Sequence, residues 1–206
     1  MPYDVTLITI RPATIGEALP ALEAWLRANP KKGEFLACWT SEIGALNQIL
    51  LLHHYTSESD LAADRDGIVR TDNPLGIGEF TADMAMDSYN LLPFLGPIKP
   101  GQYGPVFEVR SYVLKPEGLP LTIERWRKAL PARQKLSSPL GAMYSTTGAV
   151  TRFVHIWPYP DLNERTRVRG EAINTGVWPP PSGGGPSLLV SQRTDIFLPA
   201  AFSPIR

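Results

Sequence analysis

Along residues 107–114 apolar and polar side chains alternate, the period of a half-buried strand. Pro116 and Gly118 end it. Pro120 opens a helix whose Ile123, Trp126 and Leu130 share one face, and Pro131 is expected to disturb its end. Residues 140–145 and 150–158 read as two further strands. Asp161-Leu-Asn-Glu164 is a capping box for a second helix, with Asp161 as cap and Glu164 reaching back. A last strand spans 188–197. The first half gives the same series: strand 3–11, helix 18–29, strands 35–41 and 46–55, helix 60–70 and strand 79–87.

The halves share letters as well as pattern. Tyr3-Asp-Val-Thr-Leu-Ile-Thr-Ile-Arg-Pro12 is answered by Phe107-Glu-Val-Arg-Ser-Tyr-Val-Leu-Lys-Pro116, an offset of 104. The same offset carries Gly44-Ala45 onto Gly148-Ala149 and Tyr55 onto Tyr159. Such doubling points to tandem duplication of one small unit. Repeat one is assigned to 1–95, a Gly- and Pro-rich linker to 96–104, and repeat two to 105–206. Two strand–helix–strand units per repeat make a split βαβ sheet with helices on one face. The bare face of each sheet then needs an apolar partner. The expected fold is α+β: two ferredoxin-like repeats packed sheet to sheet as an α+β barrel. Trp178-Pro-Pro-Pro-Ser-Gly-Gly-Gly-Pro186 can continue neither helix nor strand and reads as a loop before the last strand.

Composition narrows the function classes. Of 206 residues 43% are hydrophobic, which supports a packed core. Twenty basic and twenty acidic residues cancel, so nucleic acid and acidic lipid are not expected partners. Cys38 stands alone, which excludes an intramolecular disulfide and suits a reducing compartment. No apolar run reaches a membrane span, and the first residues read as a strand rather than a leader, so the expected location is cytoplasmic. Phosphate-loop, zinc-protease and nucleophile-elbow motifs do not occur.

The hairpin between the second and third strands reads Trp39-Thr-Ser-Glu42-Ile-Gly44-Ala-Leu46-Asn47-Gln48. It resembles the Thr-Glu-Ile-Gly-x-Leu-Asn stretch of the NIPSNAP family. His155-Ile-Trp157-Pro-Tyr159 and Glu108-Val-Arg110-Ser-Tyr112 resemble the same family's third and first strands. The resemblance covers nearly the whole chain in two copies and implies a ferredoxin-like domain in a dimeric α+β barrel. It carries no mechanism. The copies depart from the pattern in different places. Thr6, Ile8, Leu51 and His53 stand in repeat one where repeat two has Arg110, Tyr112, His155 and Trp157. Thr146 and Thr151 stand in repeat two where repeat one has Glu42 and Asn47.

A functional pocket is therefore expected in repeat two, between its sheet and its helices, with repeat one filled by aliphatic side chains. The ligand expected is a small apolar or aromatic metabolite. In an enzymatic version needing no cofactor and no metal, His155 is the base, Arg110 holds an anionic group and Tyr112 donates a proton. Glu42, Asn47, Trp157 and Trp178 complete the candidate substrate site, with Trp178 as a lid. Each has a plainer reading. His155 suits a satisfied core histidine, and Glu42 and Asn47 suit turn chemistry around Gly44. Trp25 and Trp126 read as core, and Arg165, Arg167 and Arg169 as a solvated, salt-bridged stripe. A non-catalytic binding or scaffold module stands as an alternative, as does haem held by His155. A homo-oligomer of the duplicated chain is compatible with all of these.

Overall fold

The computed structural model describes all residues except 183, 184 and 186, so part of the Pro- and Gly-rich stretch lies outside the described residues. Repeat one runs β1 (Pro2–Ile10), α1 (Ile15–Ala28), β2 (Glu34–Ile43), β3 (Gln48–His54), α2 (Glu58–Val69) and β4 (Thr81–Leu91). Repeat two runs β5 (Val106–Leu114), α3 (Leu119–Gln134), β6 (Gly141–Ser145), β7 (Arg152–Tyr159), α4 (Leu162–Asn174) and β8 (Leu189–Pro199). The strand order is β4-β1-β3-β2 in one repeat and β8-β5-β7-β6 in the other, the split βαβ order twice over.

The two sheets do more than face each other. They also join edge to edge, β2 to β8 and β4 to β6, and close one eight-stranded barrel. Alternation along each strand then serves two cores. Inward residues from both repeats, among them Tyr3, Trp39, Leu50, Phe107, Val109, Met143 and Phe197, fill the barrel. Trp39 of one repeat stacks on Phe107 of the other at 4.2 Å. Outward residues meet helices: Ile8 and Leu51 lie under α1 and α2, Phe153 and Trp157 under α3 and α4. The expected linker also takes part in the barrel. Ile98 sits in the barrel core, its backbone N–H donates to the Tyr3 hydroxyl at 3.1 Å, and Gly101 pairs with Ile205.

Three local expectations need correction. Helix α3 runs through Pro131 to Gln134, because the buried Arg133 anchors its last turn to Ser137 and Tyr159. Asp161 caps α4 by accepting from the Glu164 backbone N–H at 2.7 Å, but the Glu164 carboxylate pairs with Arg167 instead of reaching back. Strands β4 and β8 extend past their expected ends to Leu91 and Pro199; the added residues form the β4–β6 seam and, together with Ile196 and Phe197, the β2–β8 seam.

Candidate functional site

The same stretch of backbone is treated differently over the two sheets. In repeat one the segment after α2 drops onto the sheet. Leu75 and Ile77 are fully buried there beside Ile8, Leu22, Leu51 and Ile68. Leu75 accepts a left-handed backbone (φ 56°) to do so. In repeat two the segment after α4 sends down Trp178, packed edge-on to Trp126 at 4.6 Å, with Val177 half-buried beside it. Residues 179–182 then pass over the top as a strap, tied by Arg125 Nη2 donating to the Ser182 carbonyl at 2.8 Å. Beneath it lies a cavity of about 540 Å³, within the range of small-molecule sites. Leu114, Tyr112, Trp126, Phe153, Trp178 and Leu189 form its apolar walls.

Its cationic side is built around Glu108, which is fully buried. Arg110 Nη1 and Arg165 Nη2 both donate to Glu108 Oε1, at 2.8 and 2.7 Å. Arg169 Nη1 lies 3.7 Å from the other oxygen. Arg133 lies over the Trp157 ring at 4.3 Å and donates to the Ser137 carbonyl and hydroxyl and the Tyr159 hydroxyl. Arg110, Arg125, Arg133 and Arg169 all line the cavity, and among the described residues no Asp or Glu does. Arg110 Nε donates to the Tyr112 oxygen at 2.7 Å, which leaves that hydroxyl's own hydrogen free for a ligand.

His155 lies beneath this wall, edge-on to Tyr112 and Trp126 at 4.9 Å each. It is fully buried, and the Trp157 indole N–H donates to its Nδ1 at 2.6 Å. That contact assigns the ring hydrogen to Nε2, which has no partner. Burial first, then the charges of Arg110, Arg169 and Arg133, hold the imidazole pKa well below its ordinary value. The ring is thus neutral, its basic nitrogen faces Trp157 rather than the cavity, and Nε2 has no open approach. Neither the general-base role nor the haem-ligand role fits that geometry.

Of the residues singled out from sequence, Arg110, Tyr112 and Trp178 line the cavity, with His155 and Trp157 buried behind them. Glu42 and Asn47 do not join them. Both sit in the β2–β3 hairpin, Glu42 exposed and Asn47 in a left-handed conformation (φ 57°). The plainer reading of a turn holds for that pair. The hairpin instead packs across a seam, where the Ala45 backbone N–H donates to Asp195 Oδ1 at 3.1 Å. The arginine stripe splits as well. Arg167 pairs at the surface with Glu164 and Glu171, while Arg165 and Arg169 turn inward to Glu108. Arg133 was not anticipated as a site residue. Its signal was faint: seven residues after Trp126, on the helix face that meets the sheet. Among the described residues no three His, Cys, Asp or Glu side chains gather as a metal site needs, and no helix is long and apolar enough to cross a membrane.

A family model described as NIPSNAP matches residues 3–84 and again 107–204. A NipSnap homolog of Dictyostelium discoideum is 27% identical over 150 residues, covering 72% of this chain and 67% of that protein. Mouse NipSnap homolog 2 is 28% identical over 101 residues, covering 49% of this chain and 36% of that protein, so the chain spans about a third of its length. Among solved structures, an anthrone oxidase-like protein aligns with a TM-score of 0.66 at 11% identity, over 97% of this chain and 91% of that one. At that identity the likeness is one of fold.

Proposed function

The chain belongs to the NIPSNAP family, with two copies of the family unit in one polypeptide, and from that premise we propose that repeat two binds a small apolar or aromatic metabolite. The observation that carries this reading is the contrast between a cavity of about 540 Å³ in repeat two and the Leu75–Ile77 plug at the same place in repeat one. An apolar wall with a few convergent polar groups is the ordinary form of a ligand site. The site reads as one for binding rather than for base chemistry. The Tyr112 hydroxyl can donate a hydrogen bond to a ligand, but the buried His155 cannot take a proton from the cavity.

Ile173 lines the cavity mouth and is exposed, so it can be enlarged without disturbing the core. In a titration with 1-naphthylmethanol, Trp126 and Trp178 fluorescence should quench saturably. Ile173→Trp should abolish the effect, whereas Val69→Trp, the counterpart in repeat one, should leave it unchanged. Equal binding by the wild type and Ile173→Trp would place the probe elsewhere and end this reading.

A further inference from the structure

The first strand of each repeat carries one buried acid under the second helix: Asp4 in repeat one, Glu108 in repeat two. In repeat one the pair is closed. Arg65 Nε donates to Asp4 Oδ1 at 2.8 Å, its Nη2 reaches the same oxygen, and the Thr6 hydroxyl takes the other at 2.8 Å. The repeat-two counterpart of Arg65 is Arg169, the same 104 residues on. Its place at the acid has been taken. The positions of Thr6 and Leu61 have become Arg110 and Arg165, and both bond Glu108 Oε1. Arg169 is left 3.7 Å from Oε2, and among the described residues it makes no hydrogen bond. Three guanidinium groups thus share one carboxylate. Two positive charges remain uncompensated at the wall of a largely apolar cavity, where an unpaired charge is costly.

We propose that Arg169 is the anchor for a carboxylate head group on the ligand, whose apolar or aromatic body fills the rest of the cavity. The proposal rests on the reading of that cavity as a ligand site and adds the chemical class of the ligand. One free, planar guanidinium fork fits one planar carboxylate through two parallel hydrogen bonds. Arg133 adds charge from the side, and the Tyr112 hydroxyl hydrogen points a further donor at the same space. Arg110, the residue that sequence alone would choose, is tied to Glu108 and Tyr112 and is the positioning residue that frees Arg169.

The test compares 1-naphthoate with 1-naphthylmethanol, which share a ring system and differ in charge. Calorimetry on the whole chain should give naphthoate at least about a tenfold tighter Kd, in line with a charge-assisted hydrogen-bond pair. Arg169→Gln should remove that preference and leave the alcohol's Kd unchanged. Arg169→Lys, which keeps the charge without the fork, should fall between. Arg167→Gln, an exposed arginine on the same helix, should keep the full preference. Equal affinity for the two probes in the wild type would overturn the carboxylate inference and leave the cavity as an apolar site. A preference that survives Arg169→Gln would overturn the anchor. Binding of neither probe at millimolar concentration would bring down the ligand-site reading itself, and this inference with it.

Discussion

Where repeat one has Ile8, Leu22, Leu51 and Leu75, repeat two has Tyr112, Trp126, His155 and a proline-rich strap. The backbone under these residues is the same, down to matching strands and helices. One set of side chains interdigitates and fills its space. The other is larger, more polar and spanned from above, and encloses a void. A layer of packed aliphatic side chains gains stability and offers nothing to a ligand. A layer that turns several arginines onto an unfilled space gives up some of that gain and acquires recognition. The pair teaches that a common fold can be divided into a supporting half and a site-bearing half without any change in topology.

The sharpest way to break this comparison is at the buried acids. Glu108→Gln should lower stability by about 3–5 kcal/mol, since it leaves Arg110 and Arg165 without their shared partner. Asp4→Asn should cost less, because it unpairs a single arginine. Urea unfolding of both variants checks the order. If the Asp4 variant is the weaker one, the extra charge of repeat two is not what Glu108 holds together.

The next test sets Leu51 against His155. Leu51→Ala truncates the filled side and should cost about 2–5 kcal/mol. His155→Ala should cost about 1–3 kcal/mol, chiefly by leaving the Trp157 indole N–H unpaired. Naphthylmethanol binding should change little in either variant. A His155 variant that keeps full stability and loses binding would return that residue to the site.

The smallest effect concerns a feature the halves share. Each buries one neutral histidine, His53 or His155, with a pKa pushed well below 6.5. Burial leads in both cases, joined by the charge of Lys31 at His53 and of Arg110, Arg169 and Arg133 at His155. Below pH 6.5 the unfolded chain takes up protons that the folded chain refuses. Stability is therefore full above that pH and falls as the pH drops, by up to about 1.4 kcal/mol per unit for each histidine. Urea midpoints between pH 7 and 5.5 should show this slope, to which His54, its pKa also lowered by burial, adds, and His53→Gln should remove one histidine's share of it. An unchanged slope would mean that the two rings do not contribute alike.

The elements themselves were legible because periodicity and punctuation are local. Asp161 announced a cap and accepted the expected bond. The errors share a cause. Leu91, Leu198 and Pro199 became strand through partners in the other repeat, which no local pattern could announce. Pro131 failed to end α3 because Arg133 is held by Ser137, Tyr159 and Trp157. At the site, Arg110, Tyr112 and Trp178 could be placed from strand alternation and a break in the loop. The freedom of Arg169 could not. It depends on which arginines reach Glu108 first, and that is decided in three dimensions.

The two seams bear on how fast the molecule can form. Pairing within either sheet joins residues of one repeat, whereas the β2–β8 seam brings Trp39 beside Pro199 across most of the chain. Contacts so distant in sequence reward the chain only after a long loop has been closed, and rates fall as their share rises. Closure of the barrel is the step with the longest reach. Until it happens, the inward faces around Trp39 and Phe107 have no cover. The rate at which the two repeats find each other's edges therefore governs how long that apolar surface stays open to other chains.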